Sequence, residues 1–305
     1  MTEQDANQRP ANETDDRWTI LRLLQWTTAF FEKRGSDSPR LDAEVLLAHA
    51  RECSRIELYT AFEEEPEEEQ KAVFREMVRR RGEGMPVAQL VGYKEFYSLR
   101  FRVNEHTLIP RPETEHVVIE ALDSARTIEV EGRPLCIADI GTGSGAIAVS
   151  LAVHLPAAQV TAVDVSEPAL EIATWNAKQH DVVDRIDFVH SDLLASIKEP
   201  QSFDLICSNP PYISEDEFAE LDATVREHEP KTALVAGEDG TEVIKRLLAE
   251  SYSRLNLGGR LIVELSPMIA DACEDLAEQI PEFGDLRFVK DIAGHRRVLS
   301  LKRVE

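Results

Sequence analysis

Asp139-Ile140-Gly141-Thr142-Gly143-Ser144-Gly145 is the stretch of the sequence that decides the fold. It joins an apolar segment of strand character, residues 134–140, to a helical pattern over residues 145–153. Glycines at such a junction let the backbone approach a ligand closely, and the helix that follows presents unpaired N–H groups. The stretch therefore predicts a strand, a ligand-binding loop and a helix.

Strand and helix patterns alternate from this loop to the end of the chain. Strand patterns cover residues 159–165, 185–190, 203–208 and 259–265, and helical patterns cover residues 168–178, 241–255 and 271–279. Residues 286–290 and 297–301 are expected to form a final antiparallel hairpin around Gly294. Alternation of this kind predicts a mostly parallel α/β sheet with helices on both faces.

The residues before the sheet follow other periods. Residues 17–82 have apolar positions at helical spacing, which predicts a small helical domain. Residues 83–112 contain two short strand patterns, which predict a β-hairpin linker between this domain and the α/β domain at residues 113–305. Residues 1–16 are polar and acidic and are expected to form a disordered tail.

Composition excludes several classes of protein. A chain of 305 residues with 43% hydrophobic residues can bury the cores of about two domains, and it has no apolar run near the ~20 residues that span a membrane. Its 4 cysteines form no Cys-x-x-Cys pair, which favours a reduced, cytoplasmic protein without a metal site. The net charge of −23 disfavours nucleic acid as a direct partner.

Side chains suited to a nucleoside follow three successive strand patterns. Asp164 can accept hydrogen bonds from both hydroxyls of a ribose. Asp192 can accept a hydrogen bond from an adenine amino group while Leu193 packs on the ring. Asn209 stands after the next strand. Because ligands bind at the carboxyl ends of strands in such sheets, these residues and the glycine loop predict an adenosyl cofactor.

Two cofactors fit this pattern. With Ala146 the loop satisfies the relaxed dinucleotide spacing Gly-x-Gly-x-x-Ala, so NAD is an alternative to S-adenosylmethionine. The segment Asn209-Pro210-Pro211-Tyr212 favours the latter, because the Asn209 side chain and the Pro210 carbonyl offer two acceptors to one NH2 group and Tyr212 offers an aromatic face. A dehydrogenase usually needs a His as acid or base, and this segment has none.

With these motifs the chain resembles the peptide chain release factor glutamine methyltransferases, the HemK/PrmC-type family. The resemblance extends from Trp18 to the end of the chain, and it departs from the family at residues 264–268, where the family usually has Glu-Ile-Gly. Leu193 also stands where some members have an aromatic residue. The further matching positions are Gly92-Tyr93, Glu95-Phe96, Leu108 to Glu115, Glu229-Pro230, Ala233-Leu234, Gly237, Asp239-Gly240, Asp291, Gly294 and Arg297.

The resemblance implies a class I S-adenosylmethionine-dependent methyltransferase, with a Rossmann-like, mostly parallel seven-stranded sheet. It implies methylation of the side-chain amide nitrogen of the glutamine in the Gly-Gly-Gln motif of class I release factors, which the helical domain helps to recognise. The residues expected to be catalytic are Asn209, Pro210 and Tyr212, with Pro211 also binding substrate. Those expected to bind the cofactor are Gly141, Thr142, Gly143, Ser144, Gly145, Asp164, Asp192, Leu193, Asn209 and Arg111, the last held in a turn by two prolines.

Two other functions remain alternatives. The Asn-Pro-Pro-Tyr motif alone is shared with amino methyltransferases that act on adenine or guanine in nucleic acid. A noncatalytic S-adenosylmethionine-binding module is the second alternative. For the main interpretation we expect release factors as the protein partner, a monomer, and no contact with nucleic acid or membrane.

Overall fold

A computed structural model describes residues 17–198 and 202–304. The chain divides into two compact units between Val91 and Gly92. The predicted tail, residues 1–16, lies outside the described residues. Over the described ranges, no helix combines the length and the apolar character that crossing a membrane requires.

The first unit is helical, as its sequence period predicts. Thr19 caps its first helix, because its side-chain oxygen accepts a hydrogen bond from Arg22 N at 3.3 Å, and Pro39 begins the second helix, where a missing N–H costs nothing. The apolar faces meet in a core that contains Leu24, Phe31 and Leu46. The helices are α1 (Ile20–Glu32), α2 (Pro39–Ala50), α3 (Arg55–Thr60), α4 (Glu68–Gly82) and α5 (Val87–Val91).

The second unit begins with the β-hairpin. Strands β1 (Tyr93–Phe96) and β2 (Leu99–Arg102) pair antiparallel, and the rings of Phe96 and Phe101 pack edge to face with centroids 6.0 Å apart. Both rings are buried within a core of this unit, and Arg102 N donates to Asn176 Oδ1 at 2.8 Å. The hairpin is therefore part of the packed α/β unit, while α5 ends the helical one.

The described residues of the second unit form a seven-stranded sheet in the order β10-β11-β9-β6-β3-β4-β5. In this sheet β11 is antiparallel to β9 and to β10, and the pairs from β9 to β5 are parallel. The predicted fold class is confirmed. The strands are β3 (Cys136–Ile140), β4 (Gln159–Asp164), β5 (Ile186–His190), β6 (Phe203–Ser208), β9 (Leu255–Glu264), β10 (Phe283–Lys290) and β11 (Arg296–Arg303), and β7 (Ile213–Ser214) and β8 (Val235–Gly237) form a separate short parallel pair.

Helices cover the sheet on both faces. Alternate residues of one strand enter different cores: Ile137 packs in one cluster and Ala138 in the other, and Leu205 and Ile206 divide in the same way. Strands buried on both faces explain the continuous apolar runs in the sequence. The helices are α6 (Glu115–Ala125), α7 (Ala146–His154), α8 (Glu167–Gln179), α9 (Glu215–Glu220), α10 (Ala223–His228), α11 (Glu242–Ser251) and α12 (Ala270–Glu278).

The chain leaves β3 toward β4 on one side, and β6 pairs with β3 on the other side. The strand order therefore reverses between β3 and β6, and the carboxyl ends of these two strands flank a crevice where ligands bind in open α/β sheets.

Gly145 and Gly143 allow a test of how the glycine loop supports α7. Both have positive φ, +81° and +55°, but a Cβ on Gly145 would lie 3.1 Å from Ala173 Cβ of α8, whereas a Cβ on Gly143 would meet nothing within 4 Å. We expect Gly143→Ala to lower the free energy of unfolding by about 1–2 kcal/mol, the usual cost of this conformation. Gly145→Ala should cost more in urea denaturation, and equal losses would contradict close packing of α7 on α8.

Candidate active site

A cavity of about 290 Å³ opens at the carboxyl ends of β3, β4 and β6. Seven of the predicted site residues line it: Gly141, Gly143, Asp164, Asp192, Leu193, Asn209 and Pro211. The structure thus brings together residues from four separate predicted segments. The other predicted site residues lie outside this lining, and their contacts are described below.

The glycine loop and Asp164 hold each other in place. Gly141 N and Thr142 N both donate to Val163 O at 2.8 Å, and Gly143 N donates to Asp164 Oδ2 at 2.8 Å. Burial raises the pKa of Asp164 above its usual range, although the N–H groups of Gly143 and Ser166 favour the charged form. Each carboxylate oxygen can accept more than one hydrogen bond, so Asp164 keeps acceptor capacity for a ligand.

Asp139 stabilises the glycine loop from its buried side. Its Oδ2 accepts hydrogen bonds from Thr142 Oγ1 at 2.6 Å and from Ala148 N at 3.0 Å. Its Oδ1 is buried without a hydrogen-bond partner among the described residues. Burial raises the pKa of this carboxyl to about 7. Thr142 therefore points into the fold toward Asp139, and its role is to fix the loop.

Ser144 and Gly145 also act through packing. Ser144 is buried and its carbonyl accepts a hydrogen bond from Asn176 Nδ2 at 2.8 Å, while Gly145 lies against α8. Both residues anchor the helix that follows the loop, and neither lines the cavity.

Asp192 and Leu193 form a second wall of the cavity. Arg246 of α11 donates to Asp192 Oδ2 at 2.9 Å, and the Asp192 side chain remains 60% exposed. Leu193 adopts a positive φ of 50°, which is rare for a branched apolar residue and places its side chain at the lining. Strain of this kind persists where the surrounding structure holds it, often at a ligand site.

Asn209 lies directly after β6, and its side-chain amide is oriented. Its Nδ2 donates to Thr114 Oγ1 at 3.0 Å, and no hydrogen bond between described residues occupies its Oδ1. Ser208 Oγ donates to Ile140 O at 2.7 Å and ties the ends of β6 and β3 together. Pro210 follows as a buried residue that has a carbonyl acceptor but no N–H group. Asn209 therefore has a side-chain acceptor available beside the cavity.

Tyr212 is anchored by a buried carboxyl. Its hydroxyl donates to Glu264 Oε1 at 3.2 Å, and burial together with the Glu264 charge raises the pKa of Tyr212 above its usual range. Burial also raises the pKa of Glu264 to about 7. The Tyr212 side chain does not contribute to the lining of the cavity.

Arg111 forms an ion pair away from the lining. Its Nη2 lies 2.5 Å from Oε1 of the buried Glu229, whose Oε2 accepts a hydrogen bond from Ile109 N at 3.2 Å. These bonds tie the Pro-Arg-Pro turn to the segment that begins the Glu229-Pro230 motif. Arg111 thus fixes two loops around the site.

The lining also contains residues that were not predicted site residues, among them His106, Leu108, Val165, Ser166, Pro230, Ala233 and Arg246. Val165 was detectable, since it is a large apolar residue next to Asp164 and is 57% exposed. Arg246 was not detectable, because its position is that of an ordinary charged residue on the polar face of an amphipathic helix. Only the folded chain brings it to Asp192.

Two family models match the chain, the PrmC N-terminal domain at residues 22–92 and the methyltransferase small domain at residues 117–227. The chain is 59% identical over 290 residues to the release factor glutamine methyltransferase of Rhodopirellula baltica. The matched region covers 95% of this chain and 98% of that protein. The chain is 41% identical over 289 residues to the protein of the same name from Chlorobaculum tepidum, over 93% of this chain and 97% of that protein.

Solved structures agree on the fold. The hMettl16 catalytic domain, in complex with the MAT2A 3′UTR hairpin 6, has a TM-score of 0.53 and 18% identity over 75% of this chain and 81% of that chain. At this identity the likeness shows the architecture of the sheet and its helices.

The raised pKa of Asp139 predicts a pH dependence of stability. The folded protein holds a proton on Asp139 up to pH about 7, while the unfolded chain loses it near 3.8, so the free energy of unfolding falls as pH rises between these values. The difference corresponds to about 4 kcal/mol at most. Asp139→Asn should remove this part of the slope in urea titrations from pH 4 to 7, and an unchanged slope would contradict a buried, protonated Asp139.

Proposed function

Because the chain belongs to the release factor glutamine methyltransferase family, we propose that it methylates the side-chain amide nitrogen of the glutamine in the Gly-Gly-Gln motif of class I peptide chain release factors. The single observation that carries the proposal is the Oδ1 of Asn209, which accepts no hydrogen bond from the described residues and belongs to a residue that lines the cavity and directly precedes Pro210. These two acceptors match the two hydrogens of one carboxamide NH2 group.

The residues that line the cavity support S-adenosylmethionine as the cofactor. Gly141 and Gly143 leave open space where side chains would stand, and Asp164 offers carboxylate oxygens to the ribose. In this proposal Asp192 accepts a hydrogen bond from the adenine amino group, and Leu193 and Val165, which also line the cavity, pack against the ring. The cofactor supplies a methyl group activated by a positively charged sulfur, and the residues of the chain bind and align the reactants.

Asn209 and Pro210 make a poor nucleophile competent. An amide nitrogen reacts weakly because its lone pair is delocalised into the carbonyl. When Asn209 Oδ1 and the Pro210 carbonyl accept its hydrogens, they hold the nitrogen in line with the methyl group and favour the positive charge that develops on it during transfer. The proton can leave after transfer, so this arrangement requires no strong base.

The helical unit supplies features of a protein-binding domain. Trp18 and Trp26 are exposed beside a groove of about 510 Å³ that α1 and α4 form within this unit. Exposed aromatic residues beside an apolar groove are typical of protein contacts. We therefore assign recognition of the release factor to this unit, and we place the reaction in the cytoplasm with translation.

Nucleic acid as the methyl acceptor is the main alternative, since the Asn-Pro-Pro-Tyr motif also suits an amino group on a base. A flipped base must be held through its phosphates, and a net charge of −23 opposes this. The experiment incubates the protein with labelled S-adenosylmethionine and a release factor, tRNA or DNA. Label on the release factor alone, lost when its Gly-Gly-Gln glutamine is replaced, is the expected result, and label on nucleic acid or on none would refute the proposal.

Asn209→Ala should separate catalysis from cofactor binding. Deleting one oriented polar group typically costs about 10²- to 10³-fold in rate, so we expect kcat to fall by this factor. The Kd for S-adenosylmethionine, measured by calorimetry, should stay close to that of the wild type because Asp164 and the glycine loop are unchanged. Undiminished turnover by this variant would reject the role of Asn209.

Asp164→Ala tests the ribose contact. Loss of hydrogen bonds to a charged acceptor costs about 1.5–3 kcal/mol, which corresponds to roughly 10- to 100-fold in the Kd for S-adenosylmethionine. Asp184→Ala is the control, because Asp184 is an exposed carboxylate in a short turn at the opposite end of the sheet. Equal Kd values for the two variants by calorimetry, with melting curves showing both folded, would count against the ribose role.

A further inference from the structure

Asn209 and Tyr212 share a buried polar network. Asn209 Nδ2 donates to Thr114 Oγ1 at 3.0 Å, and Tyr212 Oη donates to Glu264 Oε1 at 3.2 Å. The Thr114 side chain faces the Glu264 carboxyl and lowers its pKa. Thr114 is 4% exposed and Glu264 is 1% exposed. The network joins the end of β9, the turn before α6 and the loop after β6.

The direction in which the Thr114 hydroxyl donates its proton determines the orientation of the Asn209 amide. A hydroxyl has one proton to donate and lone pairs to accept with. If the proton goes to Glu264, the oxygen can only accept from Asn209, and it therefore selects the NH2 end of the Asn209 amide. If the proton is free to turn toward Asn209, the hydroxyl can instead donate to Oδ1, and the amide can flip its NH2 end toward the cavity.

We propose that Glu264 is a positioning residue for methyl transfer: by taking the Thr114 proton, it fixes the Asn209 amide with Oδ1 toward the substrate. The inference rests on the proposed function, because it concerns which end of Asn209 meets the glutamine amide. If the NH2 end of Asn209 faced the cavity, it would meet the NH2 group of the substrate glutamine, and two hydrogen-bond donors would face each other. Unsatisfied donors in a buried site are costly, so the flipped orientation would bind the substrate amide poorly in the transition state.

Burial explains why Glu264 is suited to this role. Its Oε2 is buried and has no hydrogen-bond partner among the described residues, so this oxygen is available to accept the Thr114 proton. The groups that face it are Thr114, Tyr212, Glu113 and Arg297, of which Arg297 pairs with Asp291. Since burial and Glu113 raise its pKa to about 7 while Thr114, Tyr212 and Arg297 lower it, Glu264 changes charge near neutral pH.

Thr114 provides the first pair of variants. Thr114→Val keeps the volume and removes the hydroxyl, and Thr114→Ser keeps the hydroxyl. Groups that orient metal-binding side chains typically contribute about 10- to 100-fold to activity, and by analogy we expect kcat of Thr114→Val to fall by about this factor. KM and the Kd for S-adenosylmethionine should not change. Thr114→Ser should have the kcat of the wild type. A fully active Thr114→Val, or a Thr114→Ser as impaired as Thr114→Val, would overturn the proposal.

Glu264 provides the second pair. Glu264→Gln keeps the volume and an acceptor oxygen but does not titrate, so it is the control for pH, whereas Glu264→Ala should lose about 10- to 100-fold in kcat at high pH. The wild-type kcat should fall as pH decreases through about 7, because protonated Glu264 can donate to Thr114 and reverse the network. This fall should be absent in Glu264→Gln. A pH profile that is the same in both proteins would contradict the assignment.

The double variant Thr114→Val with Glu264→Ala tests whether Glu264 acts through Thr114 or whether the two residues act independently. If Glu264 acts through Thr114, the double variant should be no slower than Thr114→Val alone, and additive losses would overturn the proposal. The side-chain amide protons of Asn209, followed by NMR without substrate, should shift in Thr114→Val and Glu264→Ala but not in Thr114→Ser. This signal does not depend on the acceptor, so it distinguishes failure of the network from failure of the proposed function, in which the wild type itself methylates no release factor.

Discussion

The parallel pairing of β3 with β6 is the constraint on which the site depends. Ile140 pairs with Ser208 in the register of these strands, and Ser208 Oγ donates to Ile140 O at 2.7 Å. The glycine loop and Asn209 leave the sheet one residue later on each strand, so a Cβ on Gly141 would lie 4.0 Å from Asn209 O. A shift of one residue would turn Asn209 to the other face of the sheet and separate the acceptor from the loop.

Buried carboxyl groups show where the fold accepts an energetic cost. Asp139, Asp164 and Glu264 all lie at the carboxyl edge of the sheet, and burial raises the pKa of each. At the opposite edge, Asp204 is buried as well, but Arg133 holds its pKa below the usual range with two bonds of 2.6 Å. The three carboxyl groups at the carboxyl ends of the strands form no ion pair among the described residues. Buried carboxyl groups with perturbed pKa values are typical of functional sites, where they orient loops and ligands rather than maximise stability.

Local patterns were sufficient for much of this structure. The strands that are buried on both faces, the helices between them and the glycine loop each have a short-range signature, and Asn209 follows directly from the strand before it. Strands β7 and β8 were missed because two or three residues are too few to show a period.

The contacts that orient the site were beyond local patterns. Thr114 and Asn209 are 95 positions apart, and Tyr212 and Glu264 are 52 apart, so only the folded chain shows that they meet. The same reason explains Arg111, whose partner Glu229 lies 118 positions away. The sequence indicated which chemistry the strand ends can perform, whereas the groups that hold those side chains in place depend on long-range packing.

In the proposed reaction, Asn209 Oδ1 and the Pro210 carbonyl hold a carboxamide NH2 group in line with a methyl donor. The most direct measurement is a crystal structure of the protein with an unreactive analogue of S-adenosylmethionine and a peptide that contains Gly-Gly-Gln. We expect the glutamine amide nitrogen to lie within hydrogen-bond distance of both oxygens and to face the position of the transferable methyl group. A methyl position that points away from Asn209, or a cavity too shallow to admit the carboxamide, would contradict this expectation.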